Sequence, residues 1–188
     1  MIVMSSNPLS TFWMSLQNAL ILNSRFYEYI QNTPKNRRIA RLVVGIAALS
    51  HMLGSAVILL INRATFPVLL LALLLDGLSV IVGYYFWTLI VFKFGKKLKR
   101  NPPTYQDLLS PIGIAYAPQA LNFLTLIPLL GRVIELVLSV WSLLAVIVAV
   151  RQGLELQTRW ATLICLVGWI PLQMTINLVQ FLEQELVQ

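Results

Sequence analysis

Residues 69–86, LLLALLLDGLSVIVGYYF, decide the fold class of this chain. The run is almost unbroken hydrocarbon, and a helix of this length comes close to crossing the ~30 Å apolar core of a bilayer. The stretch therefore predicts a membrane-spanning helix. One carboxylate, Asp76, interrupts it, and a charge in the middle of such a helix costs at least ~2.5 kcal/mol on insertion scales. We expect Asp76 to be paired, neutral or functional.

The composition of the whole chain is that of an integral membrane protein. Hydrophobic residues make up 58% of the 188 positions and charged residues only 11%, which is too little charge to cover a soluble domain. The chain has one histidine and one cysteine, and it has none of the hydrolase, zinc-protease or phosphate-loop motifs. We therefore predict no enzyme activity, no catalytic residues, no metal site and no cofactor.

Five segments are apolar over about the 20 residues that a span requires. They are residues 39–61, 66–92, 108–129, 133–150 and 160–179. The predicted fold class is all-α, a polytopic membrane protein with five transmembrane helices and an N-terminal interfacial helix. Residues 1–36 form the N-terminal cytoplasmic or interfacial segment in this scheme, and residues 37–188 form the five-span membrane domain.

Basic residues alternate between the two sides of these spans. Four lie at the start of the first span, five follow the second and two follow the fourth, whereas the first and third connections carry one each. Because cytoplasmic loops are enriched in Lys and Arg, we expect a cytoplasmic N-terminus and an outer or lumenal C-terminus. The net charge of +7 follows from this topology, so we expect no nucleic acid partner.

The predicted cytoplasmic loop after the second span carries the densest positive charge. Its basic residues are Lys93, Lys96, Lys97, Lys99 and Arg100. Such clusters attract anionic lipid headgroups by about 1 kcal/mol per residue. We expect the lipid bilayer as a partner here, and docking of an acidic protein is the alternative.

Residues 11–31 are too polar to span a membrane, but they have an apolar face. Phe12, Leu16, Leu20 and Tyr27 recur at helical spacing, which predicts an amphipathic helix at the cytoplasmic interface. The alternative is a dangling tail. Pro34 ends this helix before the first span, since proline is excluded from helix interiors.

Three prolines occur in the third predicted span: Pro111 and Pro118 lie inside it, and Pro128 ends it. Pro118 removes a backbone donor, so we expect a kink that leaves the carbonyl of Ile114 without its usual partner. Breaks of this kind occur at the binding sites of transporters. They also occur in ordinary membrane helices whose neighbours satisfy the freed groups, and we favour this second interpretation.

His51 and Asp76 are predicted to interact near the bilayer midplane, directly or through a water. They lie equally far along the chain from the turn between the first two spans, so an antiparallel hairpin brings them to similar depth. Each also shares a helix face with small residues that allow close packing. We expect either a structural contact or a proton-responsive pair.

A second set of polar residues is predicted to line the inside of the bundle. Glu135, Ser139 and Ser142 share one face of the fourth span, and the third span contributes Gln119 and Asn122. For Glu135 we favour a pair with Arg132 one turn earlier.

Several short motifs occur together in a particular order. The run 115–156 contains Tyr-Ala-Pro at 116–118, Pro-Leu-Leu-Gly at 128–131, Trp-Ser at 141–142 and an Arg-to-Leu exit at 151–156. In this order it resembles the Yip domain of proteins that interact with Ypt/Rab GTPases. Residues 23–44 resemble the segment that leads into the family's first span. The resemblance implies a five-span fold.

The resemblance implies less about activity. The Asp-Leu-x-Gly-Pro and Gly-Tyr-Gly-Tyr signatures of eukaryotic members do not occur in the sequence, so it does not imply Rab binding. Residues 114–132 are similar to cyanobacterial members. This implies a bacterial plasma membrane or a cyanobacterial thylakoid membrane as the location.

Two functional interpretations therefore stand. The favoured one is a non-catalytic scaffold, assembly factor or membrane-organising subunit, whose partners are other integral membrane proteins. The alternative is a component of a small-solute or proton-linked transporter or channel that uses the intramembrane polar residues. The absence of repeat symmetry argues against the transporter.

Overall fold

The computed structural model describes residues 8–30, 33–127 and 129–169. The helices in chain order are α1 (Pro8–Leu20), α2 (Ser24–Tyr29), α3 (Pro34–Ile61), α4 (Phe66–Leu98), α5 (Tyr105–Ile114), the 3-10 helix η1 (Ala117–Leu126) and α6 (Gly131–Gly153). Residues 158–169 are helical again. No strand occurs within these ranges, and the predicted all-α class is confirmed.

Three of these helices, α3, α4 and α6, are long and apolar enough to cross a membrane. They cover the first, second and fourth predicted spans. The protein is therefore an integral membrane protein with three candidate spans in its described part. The fifth predicted span, 160–179, continues beyond the described residues.

Local sequence explains where the helices begin. Thr33 caps α3 by accepting a 3.2 Å hydrogen bond from the Asn36 N–H, and Pro34 takes the first turn, where its missing N–H costs nothing. At the start of α5 the Thr104 N–H donates to the Asp107 carboxylate over 2.8 Å. The turn between α3 and α4 contains Arg63 with a positive φ of 54°.

The third predicted span is interrupted near Pro118, as expected, and continues after the break as a 3-10 helix. Pro118 has no N–H for the carbonyl of Ile114, so α5 stops there and the chain continues as η1. The Gln119 N–H donates to the Tyr116 carbonyl over 2.9 Å. Because α5 and η1 have ten residues each, they measure roughly 35 Å together at 1.5 and 2.0 Å per residue.

Helix α3 lies at the centre and contacts α4, α5 and η1. A Cβ added to Gly113 of α5 would lie 2.8 Å from the Ala40 Cβ near the start of α3. Further along, the Phe123 N–H of η1 donates to Ser50 Oγ over 2.7 Å. Helices α5 and η1 therefore run alongside α3 in the same direction, and α6 returns against η1.

Helix ends that carry basic residues lie together at one end of the bundle. Lys99 Nζ lies 2.5 Å from Glu155 Oε2, and Arg37 Nη1 donates to Gln106 Oε1 over 3.5 Å. The start of α3, the end of α4, the start of α5 and the end of α6 therefore lie together, and we call this the basic end. The α3–α4 turn lies at the opposite end.

The single helix predicted over residues 11–31 is two helices. Leu22 adopts a positive φ of 55°, and Asn23 Oδ1 caps α2 by accepting from the Phe26 N–H over 3.4 Å. A local side-chain cap of this kind starts a new helix instead of extending the old one. The sequence prediction missed this turn because it relied on apolar spacing alone.

Helix α1 is docked on the bundle. Lys35 Nζ lies 3.2 Å from Thr11 Oγ1, which places the start of α1 at the basic end. Trp141 Nε1 donates to the Leu20 carbonyl over 2.9 Å, although Trp141 lies near the middle of α6. The α1–α2 hairpin therefore extends from the basic end to about half the depth of the bundle.

Small side chains form the most buried face of α1, and its predicted apolar contact residues lie beside them. Thr11 and Ser15 are buried, whereas Trp13 is 60% exposed and Ile21 in the following turn is 71% exposed. The predicted contact residues pack against the core: Phe12, Leu16 and Leu20 are half-buried, and Tyr27 is buried. Burial raises the pKa of the Tyr27 hydroxyl above its ordinary range.

Candidate functional site

A chain of polar side chains connects three elements inside the bundle. His51 Nε2 on α3 lies 2.7 Å from Gln119 Oε1 on η1, and Gln119 Nε2 donates to Ser142 Oγ on α6 over 2.9 Å. Because the amide oxygen is an acceptor, the imidazole donates from Nε2. A single amide thus satisfies polar groups on both of the long helices beside it.

The 3-10 helix makes a second polar contact with α3. Ser50 Oγ accepts from the Phe123 N–H over 2.7 Å, and Thr125 Oγ1 donates to the Asn122 carbonyl over 2.7 Å. Gly54 leaves room for this approach, since a Cβ there would lie 3.2 Å from Thr125 Oγ1. Side chains therefore bond to backbone groups of η1 inside the bundle.

Asp76 on α4 hydrogen-bonds to a different residue of α3. Ser55 Oγ donates to Asp76 Oδ2, and Ser79 Oγ donates to the Asp76 carbonyl over 2.7 Å. The Asp76 carboxyl also lies within electrostatic range of His51 and Glu135. The Ser55 hydroxyl thus bonds to the Asp76 carboxylate where α3 packs against α4.

The predicted interaction of His51 with Asp76, directly or through a water, stays a prediction, and each residue also has a hydrogen-bond partner of its own. Asp76 bonds to Ser55, which lies one turn beyond His51 on the same face of α3. The Nε2 atom of His51 is hydrogen-bonded to Gln119 of η1. The hairpin symmetry did not predict the contact of His51 with Gln119, because it could not place η1 against α3.

The polar residues predicted to line the inside of the bundle differ in their contacts and in their exposure. Gln119 and Ser142 bond to each other, and Asn122 is 8% exposed. Ser139 is half-buried and Glu135 is exposed. The pairing of Glu135 with Arg132 stays a prediction.

Two residues of the network, Ser50 and Ser55, were not predicted as site residues. Ser55 lies four residues after His51, so the helical i,i+4 spacing was the signal that could have found it. Ser50 had no comparable signal, because its partner is a backbone N–H freed by the 3-10 geometry of η1.

The predicted basic loop is mostly helical. Lys93, Lys96 and Lys97 lie on the last turns of α4, and Lys99 and Arg100 follow them. Lys96 Nζ lies 4.7 Å from the centroid of the Phe92 ring. The hydrogen bond from Lys99 holds the pKa of the Glu155 carboxyl below its ordinary value.

The comparison with known families decides the identity of the fold. The model of the Yip1 domain matches residues 18–179, which is most of the chain. The chain belongs to the Yip1-domain family. No curated protein and no solved structure matches it. The resemblance found in the sequence is therefore confirmed at the level of the family.

The motif residues of this Yip1-domain protein hold the helices together. Pro118 stands at the break between α5 and η1. Trp141 bonds to the end of α1, and its neighbour Ser142 bonds to Gln119. The Tyr-Ala-Pro and Trp-Ser motifs thus lie at junctions or contacts between elements.

The chemistry available to the Yip1-domain fold follows from these side chains. No group of three or more His, Cys, Asp or Glu that could hold a metal occurs in the described part of the chain. The polar groups that bond to each other inside the bundle are the His51 imidazole, the Asp76 carboxylate, the Gln119 amide and several serine hydroxyls. Such groups satisfy each other across helices, where interhelical hydrogen bonds contribute about 0.6–2 kcal/mol each.

Proposed function

We propose that this Yip1-domain protein is a non-catalytic scaffold or assembly subunit that binds other integral membrane proteins through its helix surfaces. The observation that carries the proposal is that the polar side chains of the bundle interior bond to one another. His51, Gln119 and Ser142 form one set, and Ser55 with Asp76 forms another. Polar groups used in this way stabilise a bundle and leave its outer surface for association.

The outer surfaces support this proposal. Leu74, Leu78 and Val82 expose 59%, 57% and 55% of their surface along α4. Leu136 on α6 exposes 65%. These faces contact lipid or the helices of a partner, since no described element covers them.

We propose that the protein has five spans with a cytoplasmic basic end. Helices α5 and η1 together have the length of one span, and the helix of residues 158–169 begins the fifth. The charge difference between the two ends supports this orientation. The C-terminus then lies on the outer or lumenal side of a bacterial plasma membrane or a cyanobacterial thylakoid membrane.

We also propose that the lysines at the end of α4 contact anionic headgroups. Lys93, Lys96 and Lys97 are exposed at the basic end. Each such residue contributes about 1 kcal/mol of attraction to an anionic surface. Lys99 is instead held by Glu155.

Site-specific photo-crosslinking in the native membrane tests the scaffold proposal. A photoreactive residue at Leu78 is expected to crosslink one defined membrane protein. The same probe at Ala72, which is 3% exposed on the same helix, is the matched control and is expected to crosslink within the chain. A ladder of unrelated products, or lipid products alone, at Leu78 and Leu136 would contradict the proposal.

A component of a proton-linked transporter is the second candidate, and η1 is the observation that favours it. Interrupted helices beside polar residues occur in transporters, and His51 bonds to Gln119 of η1. In proteoliposomes a transporter would show a pH-dependent flux that Asp76→Asn abolishes. The scaffold proposal predicts no flux and a folded Asp76→Asn variant, because the asparagine oxygen still accepts from Ser55.

A further inference from the structure

The first turns of α3 carry a cluster of positive charge. Lys35, Arg37, Arg38 and Arg41 lie within seven positions. Lys35 bonds to Thr11, and Arg37 to Gln106. Within the described ranges, neither Arg38 nor Arg41 forms a salt bridge or a side-chain hydrogen bond, and both are exposed. Two guanidinium groups are therefore available to an external anion.

A groove between α1 and α3 adjoins this cluster. Its volume is about 680 Å³, and its lining includes Phe12, Lys35, Arg38, Arg41, Leu42 and Ile46. The cationic residues lie at the start of α3. Leu42 and Ile46 follow Arg38 at one and two helical turns, so they lie on the same face and deeper in the membrane. The groove is basic at one end and hydrocarbon at the other.

The apolar part of the groove continues along α3. Leu42 is 52% exposed and Ile46 is 40% exposed, and Leu49 and Leu53 extend the same exposed stripe. The distance from Arg41 to Leu53 is roughly 18 Å along the helix axis. This is close to the ~15 Å of one leaflet of hydrocarbon.

A second cavity enlarges the basic part. It has a volume of about 350 Å³, and Arg37, Arg41 and Tyr85 are among the residues that line it. Arg41 lines both cavities. The polar space beside Arg41 is therefore larger than a single phosphate requires.

We propose that the groove between α1 and α3 binds one anionic glycerophospholipid. Arg38 and Arg41 contact its phosphate, Lys35 lies beside them, and one acyl chain follows Leu42 and Ile46. Charge complementarity selects the anionic headgroup, because the two arginines have no acidic partner among the described residues. The hydrocarbon stripe selects a lipid over a soluble phosphate or an acidic peptide. The site is separate from the scaffold surfaces on α4 and α6.

Binding of spin-labelled lipids to the purified full chain, reconstituted in phosphatidylcholine, tests this proposal. We expect phosphatidylglycerol to bind more tightly than phosphatidylcholine. Each cation near the surface contributes about a fivefold factor, so Arg38→Gln with Arg41→Gln should weaken phosphatidylglycerol binding roughly 25-fold. Arg151→Gln with Arg159→Gln removes the same charge near the end of α6, outside the groove and away from the lysines of α4, and it should leave most of the preference.

A second variant separates the groove from its charges. Ile46→Trp keeps both arginines and fills the hydrocarbon part, so it should also weaken phosphatidylglycerol binding, and excess inorganic phosphate should not displace the lipid. The Ile46→Trp variant still tests the proposal if the arginine variant does not fold. Equal losses in the Arg38/Arg41 variant and the Arg151/Arg159 variant would overturn the proposal. Displacement by phosphate together with unchanged binding in Ile46→Trp would show a soluble-anion site and would overturn it too.

Discussion

Gln119 accepts a hydrogen bond from His51, with 2.7 Å between Oε1 and Nε2, and its own Nε2 donates to Ser142 over 2.9 Å. A residue of the 3-10 helix thus joins α3 to α6. Since η1 has lost the regular bonding of an α-helix, these side-chain contacts are what hold it between its neighbours.

Replacing Gln119 tests the structural role of this amide. Gln119→Leu leaves His51 and Ser142 without their partner, and we expect a loss of about 1–3 kcal/mol in the free energy of unfolding. Reversible unfolding in mixed micelles measures it. Gln17→Leu on the exposed face of α1 is the control and should cause no loss. A stable Gln119→Leu variant would mean that the network does not hold the bundle.

Two glycines provide a matched test of the packing between α5, α3 and α4. A Cβ at Gly113 would lie 2.8 Å from the Ala40 Cβ and 3.2 Å from the Tyr84 ring, whereas Gly45 has nothing within 4 Å. Gly113→Ala should therefore destabilise the protein by about 1–3 kcal/mol. Gly45→Ala should stabilise it by about 0.4–1 kcal/mol, because alanine restricts the unfolded chain. Similar unfolding midpoints for the two variants would contradict this packing.

The docking of α1 depends on the indole of Trp141. Trp141→Phe removes the hydrogen bond to the Leu20 carbonyl, so α1 should detach more often. Ser15 is 3% exposed, and a cysteine introduced there, with Cys165→Ala as background, reports the detachment through its labelling rate. We expect faster labelling in Trp141→Phe and no change in Trp13→Phe, whose ring is exposed. Equal rates in all three proteins would show that the indole does not anchor α1.

The contact between Lys99 and Glu155 makes a prediction about pH. Because Lys99 lowers the pKa of Glu155 from its ordinary value of 4.5, the contact stabilises the fold above that value. The stabilisation is lost as the pH falls through the folded-state pKa. Carboxyl NMR titration should show the Glu155 pKa rising toward 4.5 in Lys99→Gln and staying low in Lys97→Gln. A wild-type Glu155 that already titrates at 4.5 would contradict the contact.

The sequence was sufficient for the parts of the fold that depend on length and composition. The apolar runs predicted the positions of α3, α4 and α6, and the order of the motifs predicted the Yip1-domain family. Pro118 predicted a break near Ile114, and the structure breaks there. The break depends on the missing N–H of proline, and the spans depend on the transfer of apolar side chains from water into the membrane. Both effects are set by the local sequence.

The sequence was not sufficient for contacts set by packing. The continuation of α5 as ten residues of η1 depends on partners on α3 and α6 that are distant in the chain. The pairing of Asp76 with Ser55 depends on how α3 and α4 cross. The burial of Thr11 and Ser15 on α1 depends on the helices against which α1 packs. Only Ser55 had a signal in local spacing, its position four residues after His51.

Native mass spectrometry of the protein, extracted from its own membrane in mild detergent, tests the central claim most directly. If the bundle is a scaffold whose interior polar groups bond to each other, the chain should be released in a fixed stoichiometry with another integral membrane protein. That assembly should persist in Asp76→Asn. A solitary chain that carries a tightly bound small solute, lost in Asp76→Asn, would contradict the scaffold and would support transport.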